Sequence, residues 1–257
     1  MRQIIAVFKR ELALYFRSPI AYAVAFALLL FLGVLFNGNL AQAISFNASA
    51  AQQGGGVTAS DLNLAPALLT FLMFLIGPLL TMRLLAEESR EGTIEVLMTL
   101  PIKDMHVVVG KFLAVWAYYT VLLLITIIYH IILTQVGVPD MGVAFGAHLG
   151  AWLYGGAVLA ACMIWSAVTE DQIIAAFLSA ATVLVLYLAE SAAISISSQP
   201  TLAGAATFLR QLGLQAHFNA TLANGIIRAE DIAYFLLMIV GALFITTRII
   251  ETRRWRA

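Results

Sequence analysis

The sequence predicts an all-α, polytopic membrane protein with six transmembrane helices, and three observations carry that prediction. Of 257 residues, 62% are apolar and only 11% charged, with a mean hydropathy of +0.94. Soluble domains have about 45–50% apolar and about 25% charged residues. Six apolar stretches also reach the roughly 17–25 residues that a helix needs to cross hydrocarbon: Ile20–Leu40, Pro66–Leu84, Val107–Gln135, Ala144–Val168, Ile173–Ala189 and Ile232–Ile249. The third observation is where the cations fall. The N-terminal lead holds Arg2, Lys9, Arg10 and Arg17. The segment between spans two and three holds Arg83, Arg90, Lys103 and Lys111, and the C-terminal end holds Arg248, Arg253, Arg254 and Arg256. Only Arg210 and Arg228 fall elsewhere. An even span count puts all three basic segments on one side, and positive segments stay in the cytoplasm. The expected organisation is one transmembrane domain over 1–257: a lead at 1–19, six spans within 20–249 and a cytoplasmic tail at 250–257.

The lead has a helical period. Ile5, Phe8, Leu12, Tyr15 and Phe16 fall at i, i+3, i+7, i+10 and i+11, which predicts an interfacial helix with Arg10 and Arg17 off its apolar stripe. Ser18-Pro19 turns the chain into span one, because the residue before proline avoids the α region. An Ala41-x-Ala43 pattern resembles a signal-peptidase site, but the basic lead and the apolar run are both long for a signal peptide. An uncleaved anchor is expected.

The loops follow in order. Ala41–Asn63, with "QQGGGVTAS", reads as a flexible external loop. The loop around Val136–Val143 is short, and "TEDQ" is a tight acidic turn between spans four and five. Glu190–Glu230 is about half polar, with stretches such as "TLAGAATFLRQLGL" and "HFNATLANGI" that are too brief to span. It predicts re-entrant or surface-lying external helices before the last span. Glu190, at the outer end of span five, is expected to pair with Arg210 or Arg228, or with backbone N–H groups of those short helices, and so to act as an external gate. The other reading is that its carboxylate reaches water.

Several chemistries find no support. "VVVGKF" lacks the glycine spacing of a phosphate loop before Lys111. The four histidines, 106, 130, 148 and 217, lack metal-ligand spacing, and no nucleophile–base motif is present. No catalytic, cofactor-binding or metal site is therefore expected. The single Cys162 reads as a small buried hydrophobe. Zero net charge gives no reason to expect nucleic acid.

What remains is a charged insert, "AEESREGTIEVLMTLP", holding Glu87, Glu88, Glu91 and Glu95. Gly92 is expected to end a helical extension of span two, with Thr93 capping a short helix that Leu100-Pro101 ends. Asp104 is expected to cap span three. Ile94, Leu97 and Leu100 share one side of the short helix, beside acidic neighbours. That arrangement suits docking, and it also suits an ordinary solvated connector.

The stretch "EESREGTIEVLMTLPIKDMHVVVGKF" resembles the signature of ABC-2 type permeases, through Glu88, Gly92, Thr93, Glu95, Leu97, Pro101, Gly110 and Lys111. "YFRSP" and "FITTRIIETRRWR" add a likeness to the gliding-motility-type permeases and, more loosely, to the nitrous-oxide-reductase maturation permease. The resemblance implies a permease subunit in a bacterial inner (plasma) membrane that pairs with a second permease as a homo- or heterodimer. Two copies of a separate ATPase would bind ATP and Mg, and an additional membrane subunit could join them. It further implies that 93–101 is a cytoplasmic coupling helix, with Glu87, Glu88, Arg90, Glu91, Gly92, Thr93, Glu95, Leu97 and Pro101 at the ATPase interface. A chain without a nucleotide motif must borrow energy to transport uphill, and the acidic row needs a basic partner that another chain could supply. The alternative is a membrane anchor or scaffold for an ATPase-driven machine without a solute pathway.

Overall fold

The structure, a computed structural model, describes residues 2–50, 64–92, 103–136 and 139–254. Among these residues the chain is helical, with no strand. Six helical stretches are long and apolar enough to cross a membrane: Pro19–Gln42, Pro66–Arg90, Asp104–Gln135, Met141–Val168, Gln172–Ile196 and Ala229–Thr252. Each predicted span lies inside one of them, and the protein is an all-α, multi-pass membrane protein.

In chain order the helices are α1 (Arg2–Arg17), α2 (Pro19–Ala50), α3 (Leu64–Thr81), α4 (Ala86–Arg90), α5 (Asp104–Ile125), α6 (Ile127–Val136), α7 (Met141–Val168), α8 (Gln172–Ile196), α9 (Ala203–Leu212), α10 (Leu214–Asn219) and α11 (Ala229–Arg254). Single 3₁₀ turns at Pro200–Leu202 and Leu222–Asn224 join the short helices after α8. One end of the bundle carries α1, α4 and the end of α11, and is called the basic end. The opposite end carries α9 and α10.

The fourth span is the centre of the bundle. Its most apolar window is 78% buried, against 22–28% for spans one, five and six. Small residues let α7 take that position. Gly155 lies under the Tyr119 ring, Gly156 under Trp116, and Gly146 and Gly150 under the Leu222–Gly225 turn and Phe218. The Gly146-x-x-x-Gly150 pattern, common in membrane helices, thus seats the segment at the opposite end. Asp140 caps α7 by accepting from the N–H groups of Gly142 and Val143, and Asp171 caps α8 through Ile173 and Ile174.

Several expectations need correction. The Ala41–Asn63 loop does not start where predicted. Helix α2 continues to Ala50, since "AQAISFNASA" is alanine-rich and lacks glycine and proline; residues 51–63 lie outside the described residues. Span three is divided at Thr126, whose hydroxyl donates to the Leu123 carbonyl and lies 3.2 Å from His148 Nε2. A side chain bonded back onto its own helix disturbs the ladder there. Asp104 is the first residue of α5, and Lys103 holds the cap position. The Asp104 carboxylate still favours the helix start through the backbone dipole.

Helix α1 does form, and Ser18 interrupts the helix before α2 as expected. Its face is rotated from the predicted stripe. Ile5 and Phe16 are exposed, while Val7, Glu11 and Tyr15 face inward. The helix runs alongside α5 with matching polarity. Gln3 meets His106 at 2.8 Å, Val7 fills the space over Gly110, and the Tyr15 and Tyr118 rings stack at 5.2 Å. The Tyr15 hydroxyl donates to the Leu80 carbonyl, tying α1 to α3 as well. Burial raises the Tyr15 pKa above that of an ordinary phenol.

Candidate coupling site

Helix α3 stops at Thr81, and α4 begins at Ala86 after four intervening residues. Such a break leaves N–H groups without partners inside a helix. Ser166, on α7, supplies them. Its Oγ accepts from Leu85 N at 3.0 Å and Ala86 N at 3.2 Å, and donates to the Met82 carbonyl at 3.1 Å. The break fixes the azimuth of α4 and turns Glu88 toward the protein. Helix α4 ends as predicted: Gly92 is left-handed at φ +68°, a conformation that glycine adopts without steric cost.

Glu88 enters a four-residue ion cluster. Lys111 Nζ lies 2.8 Å from Glu88 Oε1 and 3.1 Å from Glu11 Oε1. Arg10 Nη2 lies 2.7 Å from Glu11 Oε1 and 2.8 Å from Glu88 Oε1. Two cations from α1 and α5 therefore alternate with two carboxylates from α1 and α4. The Lys111 side chain is 2% exposed, Glu11 7% and Glu88 14%, while Arg10 is 53% exposed. Burial by itself would lower the Arg10 pKa, but the Glu11 and Glu88 carboxylates outweigh it and raise it. A desolvated ammonium is tolerated only when its hydrogen bonds go to charged partners, and Lys111 has two.

The predicted interface residues do not act alike. Glu87 pairs with Arg83 one turn back at 3.1 Å, with both side chains over a third exposed. Glu88 faces inward, so its basic partners come from its own chain. Arg90 and Glu91 are exposed. Thr93, Glu95, Leu97 and Pro101, with the predicted helix that holds them, lie outside the described residues. That segment is nonetheless bounded on both sides by the cluster. Glu88 lies four residues before Gly92, and Lys111 lies two turns into α5. The sequence reading named Glu88 and Lys111 but missed Glu11. The signal for Glu11 was a lone carboxylate inside the lead's own helical period, i+4 from Val7 and i−4 from Tyr15.

At the opposite end, Glu190 is half-buried and forms no ion pair with Arg210 or Arg228 among the described residues. His217 and Asp231 tie the short helices down instead. His217 Nδ1 lies 2.8 Å from Asp231 Oδ1, Nε2 lies 3.2 Å from the Gln211 carbonyl, and the ring stacks on Tyr234 at 3.9 Å. The Tyr234 hydroxyl donates to the Leu212 carbonyl at 2.7 Å. Below them Leu214, Phe218 and Leu222 are fully buried. We expect His217→Ala to speed amide exchange across Leu214–Asn224 by about tenfold, the scale of one lost charge-assisted hydrogen bond. Glu190→Gln should leave it unchanged. The reverse ranking in exchange mass spectrometry would return the tie to Glu190.

A family model described as ABC-2 family transporter protein matches residues 5–253, nearly the whole chain. A comparison with curated proteins finds no match.

Proposed function

The chain belongs to the ABC-2 transporter family, and from that premise we propose that it is the permease subunit of a transporter driven by ATP hydrolysis in a separate ATPase. The basic end faces the cytoplasm of a bacterial inner membrane, as the distribution of lysine and arginine supports. The permease pairs with a second permease, identical or related, and two ATPase subunits bind ATP and Mg. Residues 93–101 dock the ATPase, with Arg90 and Glu95 available to its surface, while Glu88 turns into the ion cluster and Glu87 and Glu91 line the neighbouring cleft.

The ion cluster is the observation that carries this reading. A push on 93–101 acts on α4 from one side and on the start of α5 from the other. Both are fastened to α1 through Glu11 and Arg10. Helix α1 leads into span one and also touches span two through Tyr15. A displacement at the ATPase surface therefore reaches three spans through one buried joint. Charge in such a joint resists rearrangement more than apolar packing does, because each separated ion must be solvated or re-paired.

The test uses the complex reconstituted in proteoliposomes with its co-purified ATPase. Glu95→Lys should leave permease yield near normal and reduce permease-dependent stimulation of ATP hydrolysis by about tenfold or more, the scale of a reversed charge at a docked surface. Wild-type stimulation in that variant would overturn the placement of the docking segment. The gliding-motility likeness of "YFRSP" and the C-terminal stretch supports a second reading, an anchor for an ATPase-driven machine. The two readings part on solute flux: the anchor retains ATPase binding and moves no solute.

A further inference from the structure

At the basic end a cleft opens between α1, the start of α2 and the α3–α4 corner. Its wide mouth encloses about 630 Å³. Beneath it a narrower space runs between α2 and α3, walled by Leu14, Ile20, Ala21, Val24, Leu79 and Leu80. The two share Glu11, Leu14, Ser18, Ile20, Arg83, Leu84 and Glu87, so they form one continuous cleft with a charged lip and a largely apolar floor. Span one, which forms one wall, is the least buried of the six. The cleft therefore opens on the outside of the bundle, near its basic end.

The charges of the lip are balanced. Arg10, Glu11, Glu88 and Lys111 close on one another and leave Arg17, Arg83, Glu87 and Glu91. Arg83 and Glu87 form an exposed i, i+4 pair, an arrangement worth well under about 1 kcal/mol and easily exchanged for another partner. Arg17 and Glu91 form no ion pair among the described residues. Two cations and two carboxylates thus face one cleft with an apolar floor. A purely anionic head would meet both carboxylates. A head carrying a phosphodiester and an ammonium joined through a two-carbon link satisfies both signs. A primary ammonium donates up to three hydrogen bonds, as lysine does, and a trimethylammonium donates none.

We propose that this cleft is a binding site for one phospholipid with a zwitterionic, primary-amine headgroup of the phosphatidylethanolamine type. The phosphodiester sits at Arg17 and Arg83, the ammonium at Glu87 and Glu91, and an acyl chain lies on Val24 and Leu79. The lipid packs between α1 and the helices it must move against, so its place is structural and it is distinct from any transported solute. The inference rests on the chain being a membrane protein and is independent of the ATPase.

Native mass spectrometry of the full-length protein in detergent, titrated with dioleoyl phosphatidylethanolamine, phosphatidylcholine or phosphatidylglycerol, tests this. The wild type should bind the first of these at one site about tenfold more tightly than the other two. Arg17→Gln and Glu91→Gln, both at exposed positions, should each abolish that preference. Arg2→Gln, which removes an exposed charge at the far end of α1, should not. Equal binding of phosphatidylglycerol would reduce the site to general anionic attraction and overturn the assignment. An undiminished preference in both Arg17→Gln and Glu91→Gln would place the lipid elsewhere and overturn it equally.

Discussion

Lys111→Met should destabilise the protein by about 3–5 kcal/mol, the usual cost of removing one partner from a buried ion pair. Lys111 is the most enclosed member of the cluster, and it alone reaches both carboxylates from the α5 side. Without it, Glu11 and Glu88 share only Arg10, which is half in solvent and approaches the same Oε1 atoms from the α1 side. Two carboxylates converging on one cation repel each other in a site that water barely enters. The double variant Glu11→Leu with Lys111→Met should recover much of the loss, because it removes one buried charge of each sign and leaves the Arg10–Glu88 pair intact. Thermal or denaturant unfolding in micelles reads both. A Lys111→Met midpoint equal to wild type would mean that the cluster is solvated and contributes no stability. Coupling gives a second readout: the double variant should fold and still couple poorly, since an apolar contact slides where an ion cluster resists.

The six spans were legible because each is a long apolar run, and burial within the bundle does not alter that signal. The end of α4 was legible because Gly92 supplies its own reason for stopping. The break between α3 and α4 was not, since nothing local marks it. It is held by Ser166, about eighty residues further along the chain. The face of α1 was misread for a related reason. The stripe through Ile5, Phe8, Leu12, Tyr15 and Phe16 counts apolar residues alone, so it passes over Glu11, which the fold turns inward. Its burial is offset by Arg10 beside it and by Lys111, which lies a hundred residues further along the chain and leaves no local signal. The same limit applies to the tie at the opposite end. Glu190 stood out in sequence because it follows an apolar run, yet position beside a membrane boundary does not choose a partner. His217 and Asp231 come together only after α10 folds back against α11.

Gly155→Ala should cost about 2 kcal/mol, whereas Gly241→Ala should stabilise by up to about 1 kcal/mol, although both replace a glycine inside a membrane helix. Intrinsic propensity favours alanine at either position, by about 0.8–1.0 kcal/mol. The difference lies in what the added methyl meets. At Gly241 nothing lies within 4 Å, so propensity acts alone. At Gly155 the methyl would fall on Cε1 and Cζ of the Tyr119 ring. That ring cannot swing away. It is fully buried, and its hydroxyl donates to the Ala151 carbonyl at 2.8 Å on the same helix as Gly155. Helices α5 and α7 must therefore separate, and overpacking of this kind costs about 1–3 kcal/mol, occasionally more. The penalty exceeds the propensity gain, and the sign of the effect reverses between the two sites. Paired unfolding midpoints of Gly155→Ala and Gly241→Ala in one detergent decide it. If Gly155→Ala also stabilises, α7 is loosely held against α5, and the close approach of these two helices is not what centres the bundle.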